Sequence, residues 1–156
     1  MDLEEKLKSY DDTLCNSLQG VIRSCEEIWK NPLLPEFTCH DISHSKRLIS
    51  LLGQILSHIE ETSMRLKKGE LYILLNAVYL HDIGMQSLKL GDITIDQLIS
   101  NYREEIRKRH AVESYNLILK NTKTLLRDDF HISTIDEQYL PAIANISKGH
   151  ATDYYD

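Results

Sequence analysis

One stretch constrains this chain more than any other. From Leu71 to Gly84 it reads LYILLNAVYLHDIG, apolar at nearly every position until it ends in His81-Asp82 and Gly84. A helix that is apolar all round has no solvent face and must be enclosed by other elements. The rest of the chain has the material for that enclosure. Its 156 residues are 42% hydrophobic and 27% charged, which suits one domain with a real core. Two ionisable residues at the end of so buried a segment also need partners, because burying polar groups without them is costly.

The enclosing elements read as helices. Leu3, Leu7, Leu14, Leu18, Val21, Ile22, Ile28 and Trp29 recur at helical spacings, which predicts one leading helix stopped by Asn31-Pro32. That helix is assigned to residues 1–35 and is expected to pack on the domain proper, 36–156; a partner-binding or oligomerising role is the alternative. A second helix is expected from Asp41 or Ser43 to about Leu66, with Ile42, Leu48, Leu51, Leu52, Ile55, Leu56 and Ile59 as its apolar set. Lys67-Lys68-Gly69 would end it, since positive charge and glycine suit a helix C-terminus. The third helix spans Glu70 to Ile83. Gln86 to Ile93 reads as a loop, with Thr94 the N-cap of a helix from Ile95. Helical character then runs through Arg109, breaks, and resumes to Leu126; a last helix runs from Thr134 to Ser147, ending at Gly149. Only six Gly and three Pro punctuate the chain, so the expected fold class is all-α, a helical bundle with a leading N-terminal helix.

Composition narrows the function classes. A net charge of -6 does not suit a broad basic face for nucleic acid, although a local basic cleft is compatible with it. Cys15, Cys25 and Cys39 are odd in number and lack a CxxC pairing. They read as reduced thiols of a cytoplasmic protein. The opening MDLEEKLKSY is acidic and has no apolar h-region, so it does not read as a signal peptide. No apolar run approaches the ~20 residues of a membrane span, and no GxxxxGK[ST] phosphate loop occurs.

The chemistry centres on His81-Asp82. A divalent metal would explain a buried imidazole beside a carboxylate, and that donor pair suits Fe, Mn, Zn or Ni. The plainer reading is a surface helix C-terminus with a capping Asp. Three further histidines weigh against the plainer reading. His44, His110 and His150 each stand near the end of a different expected helix, and side chains from several helices of a bundle can meet at one site. His40 and His44, spaced i, i+4, can share a helix face.

These residues carry a resemblance. His44-Ser-Lys-Arg47-Leu48, Tyr79-Leu-His81-Asp82-Ile-Gly84, Arg107-Lys-Arg-His110-Ala111 and Gly149-His150 stand in the order of the HD superfamily of metal-dependent phosphohydrolases, over Phe37 to His150. The segments around His40-His44 and His81-Met85 further resemble a bacterial subgroup that often precedes GHKL-type ATPase modules. The resemblance implies metal ligands at His44, His81, Asp82, His110 and His150, holding one or two divalent ions (Mn, Fe, Ni, Mg or Zn), with Asp82 bridging when two bind. It implies catalytic roles for Asp82, Arg47 and Lys148, the latter two on substrate phosphate. The implied activity is hydrolysis of a phosphate ester, with a nucleotide-type small substrate. Other implied partners are a second copy of the chain or an attached ATPase domain, and no membrane. The family's last ligand is an Asp on a later helix. Asp153 and Asp156 are candidates in the tail ATDYYD, but the expectation is that the chain is a fragment whose last Asp lies further on. A catalytically degenerate HD domain serving as a binding or regulatory module is the alternative.

Other residues read more simply. His40 is a ligand, a substrate contact or a structural helix-start residue, and a zinc site from Cys39 and His40 is a separate reading. His58 reads as solvated and His131 as a loop residue. Arg103 to Arg109 reads as a solvated helix face with i, i+4 charge pairs; a cleft-facing Arg107 or Arg109 is the minor alternative. Tyr154 and Tyr155 read as packing or tail residues.

Overall fold

The computed structural model describes residues 1–32, 41–60, 65–86, 89–90, 93–94, 102–120 and 135–151. These hold six α-helices and one minimal strand pair, an all-α architecture. His40, Cys39, His131, Asp153, Tyr154, Tyr155 and Asp156 lie outside the described residues.

The expected leading helix is two helices, α1 (Leu3–Tyr10) and α2 (Asp12–Trp29). Asp11 divides them. Its backbone is extended (φ -164°, ψ 106°), and its carboxylate accepts hydrogen bonds from the Thr13 and Leu14 amides. Asp is among the best N-caps, and here that local preference overrides a continuous apolar stripe. Helix α3 (Ile42–Glu60) is opened by Asp41, whose carboxylate accepts the His44 amide at 3.0 Å.

Lys67-Lys68-Gly69 does not close α3. It opens α4 (Lys68–Leu80), where the Glu70 carboxylate accepts the Lys67 amide at 2.7 Å. Positive charge is unfavourable at a helix N-terminus, and Lys68 is compensated by Asp11 of the α2 cap, 2.8 Å away. Leu66, expected within α3, precedes α4 in non-helical chain.

After α4 a 3-10 turn (Ile83–Gln86) leads to β1 (Lys89–Leu90) and β2 (Ile93–Thr94). These pair antiparallel, Lys89 opposite Thr94. Thr94 ends a strand, and residues 95–101, where the helix it was expected to cap begins, lie outside the described residues. Helix α5 (Tyr102–Lys120) is unbroken at Arg109, because no Gly or Pro interrupts it and Lys108 pairs with Glu104 at 2.9 Å across one turn. Helix α6 (Leu140–Gly149) starts later than expected. A 3-10 turn (Glu137–Tyr139) capped by Asp136 precedes it, and Pro141 sits in its first turn, where a missing amide is harmless.

Helix α4 is the hub, touching α1, α2, α3 and α6. Leu71, Tyr72, Leu75, Ala77, Tyr79 and Leu80 are buried in one cluster with Leu3 and Leu7 of α1, Leu18 and Val21 of α2, and Ile143 of α6. The all-round apolarity of 71–80 has this cause. Polar ties fix the packing. The Ser17 and Tyr72 hydroxyls lie 2.6 Å apart, Tyr79 Oη donates to Glu4 Oε1 at 2.6 Å, and Lys6 of α1 pairs with Glu60 of α3. Cys25 is fully enclosed, and burial pushes its thiol up to about 12, so it stays protonated and unreactive. Among the described residues, no helix is long and apolar enough to cross a membrane.

Candidate metal centre

Helix α4 carries its last turn into the middle of the bundle and stops at Leu80. His81 and Asp82 follow as a turn, 8% and 5% exposed. The chain then enters the 3-10 turn, which lies against α5. Gly84 makes this approach feasible. A Cβ built there would stand 2.1 Å from the His110 carbonyl oxygen and 2.6 Å from the Ser114 amide nitrogen, both backbone atoms. Only glycine lets the two backbones come this close.

Four imidazoles surround Asp82. His81 Nε2 lies 3.0 Å from Oδ2 and His44 Nε2 3.9 Å from the same oxygen. His110 Nε2 and His150 Nε2 each lie 3.4 Å from Oδ1. The two carboxylate oxygens thus face different histidine pairs, one drawn from α3 and the end of α4, the other from α5 and the end of α6. Two triads result, His44–His81–Asp82 and Asp82–His110–His150, each with its ligand-type atoms within 4.8 Å of one another.

The hydrogen bonds fix what these nitrogens offer. His81 Nδ1 meets the Val78 carbonyl at 2.7 Å, His110 Nδ1 the Arg107 carbonyl at 2.7 Å, and His150 Nδ1 the Ser147 carbonyl. A carbonyl only accepts, so each Nδ1 carries the proton and each neutral ring turns an Nε2 lone pair inward. Lone pairs then point at a carboxylate, and two of them, on His110 and His150, face each other at 2.9 Å. Acceptors facing acceptors around a buried negative charge require a cation. Without a metal the demand is met by a proton. Burial alone lowers the His150 pKa, but the hydrogen bond to Asp82, the Ser147 carbonyl and the Asp82 charge outweigh it and raise it above 6.5. Imidazole nitrogens bind such metals at about 2.0–2.1 Å, so two on one ion stand roughly 3.0–3.4 Å apart. The spacings of His81, His110 and His150 to Asp82, 3.0, 3.4 and 3.4 Å, fall in that range, His44 stands further off at 3.9 Å, and the carbonyl contacts are the kind that orient metal-ligating histidines.

Arg47 and Lys148 are held elsewhere in this arrangement. Arg47 is exposed and its Nη1 donates to Ser43 Oγ at 3.0 Å. Lys148 Nζ lies over the Tyr115 ring, 5.3 Å from its centre. His58, Arg107, Lys108 and Arg109 are exposed, in keeping with solvated faces. Sequence reasoning did not single out Ser114, which is fully buried at 0% exposure and bonded to the His81-Asp82 turn. Its position one helical turn after His110 was the available signal.

The HD-CE family model matches residues 34–154. The chain belongs to the HD-CE family. The match covers all five clustered residues and begins after α2, so α1 and α2 precede it. HD-CE is an HD-type domain, and the cluster has the donor set for a divalent metal. No curated protein and no solved structure matched the chain.

Proposed function

We propose that this HD-CE domain is a metal-dependent phosphohydrolase acting on a phosphate ester, with a nucleotide-type substrate. The observation that carries the reading is the set of inward Nε2 lone pairs of His81, His110 and His150 around the buried Asp82 carboxylate, with His44 Nε2 beside it. His44, His81 and Asp82 would hold one ion, and Asp82, His110 and His150 a second. Bound there, divalent metal supplies Lewis-acid stabilisation of charge on the phosphoryl oxygens and acidifies water toward neutral pH.

The chain's own residues do the rest. Asp82 presents one oxygen to each histidine pair, so it ties the two halves of the site together and orients the attacking water. The three Nδ1–carbonyl bonds hold the rings in the right tautomer before any ligand arrives, which removes a reorganisation penalty. Arg47 lies one turn beyond His44 on α3. Its planar fork suits two phosphate oxygens once it swings from Ser43. Lys148, two residues before His150, adds a point charge. Helices α1 and α2 form an N-terminal element that packs on α4 and so steadies the turn at its end.

The test is hydrolysis of p-nitrophenyl phosphate, bis(p-nitrophenyl) phosphate and a panel of nucleotides with Mn2+, Ni2+ or Fe2+. Activity should require added metal, and His81→Ala and Asp82→Ala should abolish it with helicity unchanged. Activity that survives both substitutions would sink the assignment.

A further inference from the structure

Ser114 ties the turn that carries His81 and Asp82 to helix α5. It lies on α5, one turn after His110, and is fully buried. Its Oγ donates to the His81 carbonyl at 2.6 Å and accepts from the Gly84 amide at 2.8 Å. The His81 carbonyl is left without a helical partner because α4 stops at Leu80. A hydroxyl is the smallest side chain that donates and accepts at once, so one group satisfies both ends of the turn. The contact fixes more than hydrogen bonds. Residues 81–84 contain two of the proposed ligands, while the α5 turn 110–114 contains a third. The close approach of Gly84 to the His110 and Ser114 backbone leaves the two segments touching, and Ser114 sets where along α5 the turn docks.

We propose that Ser114 is a positioning residue that registers His110 of the second triad against Asp82 of the turn, and so sets binding of the second ion far more than binding of the first. His44 is placed by α3, and His81 and Asp82 follow directly from the end of α4, so the first triad keeps its covalent support when the Ser114 contact is lost. His110 reaches Asp82 only through the docking of α5. Metal–nitrogen distances tolerate about 0.2 Å, so a small slide of α5 is enough to lose its donor. The inference rests on the two-ion reading of the site.

Titration of chelator-stripped protein with Co2+, followed by visible absorption and calorimetry, tests it. Wild type should bind two ions. Ser114→Ala should bind the first within about threefold of wild-type affinity and the second about tenfold to a hundredfold more weakly, the usual loss when a group that orients ligands is removed. Ser114→Thr, which restores the hydroxyl, should recover part of the second affinity. Ser17→Ala removes a comparable interhelical hydroxyl contact at Tyr72 and should leave both ions unaffected, separating registration from general loosening. Should Ser114→Ala not fold, Ser114→Cys carries the same comparison. Equal weakening of both ions, or no change in either, overturns the inference while leaving the metal centre intact. A single ion on wild type overturns it too, and no ion at all overturns the two-ion reading with it.

Discussion

Gly84→Ala tests the geometry of the site through one methyl group. The new carbon would stand 2.1 Å from the His110 carbonyl oxygen, and ordinary contact begins near 3.4 Å, so the turn and α5 must separate by about 1.3 Å. Neither obstacle is a flexible side chain, because both near atoms are backbone. Overpacking of this kind typically costs about 1–3 kcal/mol. The same separation breaks the Gly84–Ser114 bond at 2.8 Å, adding about 1 kcal/mol. A loss of roughly 2–4 kcal/mol lowers the melting temperature of a chain this size by about 4–16 °C. The shift is also several times the tolerance of a metal–nitrogen bond, so the variant should lose second-ion binding even at temperatures where it is fully folded. Thermal denaturation by circular dichroism and Co2+ titration at 15 °C measure the two effects. A variant that melts within 1 °C of wild type and binds metal normally would show that the close approach at Gly84 does not build the site.

Two other perturbations probe the scaffold. Burial, with Glu4 beside it, pushes the Tyr79 phenol well above its ordinary value, so it remains a donor to Glu4; Tyr79→Phe should destabilise by about 1–2 kcal/mol, or roughly 2–8 °C, and an unchanged melting curve would refute the α1–α4 tie. The Lys68 ammonium, hydrogen-bonded to Asp11, holds the Asp11 carboxyl below 3.8. The charge therefore stabilises the fold above that pH, and the contribution is lost as pH falls through the lower folded value. Asp11→Asn should be less stable than wild type at pH 7, with the gap closing below about pH 4, and a gap that stays constant down to pH 2.5 would contradict this.

The sequence made the class of fold and the membership of the cluster legible for different reasons. All-round apolarity from Leu71 to Leu80 could only mean a central helix, and α4 is one. The histidines stood out because each was expected near a helix end, which holds for His44, His81 and His150, whereas His110 stands midway along the unbroken α5. The boundaries were less legible, since local hydrogen bonds decide them. Asp11 breaks an apolar stripe that periodicity alone reads as continuous. Lys67-Lys68 looks like a helix end until Asp11, distant in sequence, neutralises Lys68 at a helix start. The spacing of residues along the chain also could not show that Asp82 divides its two oxygens between histidine pairs, or that Ser114 bonds the turn, because both depend on how α5 docks. Arg47 and Lys148 were chosen for charge, and the structure holds them on Ser43 and Tyr115 instead, so a phosphate role requires both side chains to move.

The four imidazoles and Asp82 are proposed to bind divalent metal as one unit. Metal titration of chelator-stripped wild type beside Asp82→Ala at pH 7.5 measures this most directly. Wild type should bind tightly, with a visible Co2+ spectrum typical of nitrogen and oxygen ligands, and binding at both triads should be lost when the shared carboxylate is removed. Wild type that takes up no metal, or Asp82→Ala that binds as tightly as wild type, would contradict it.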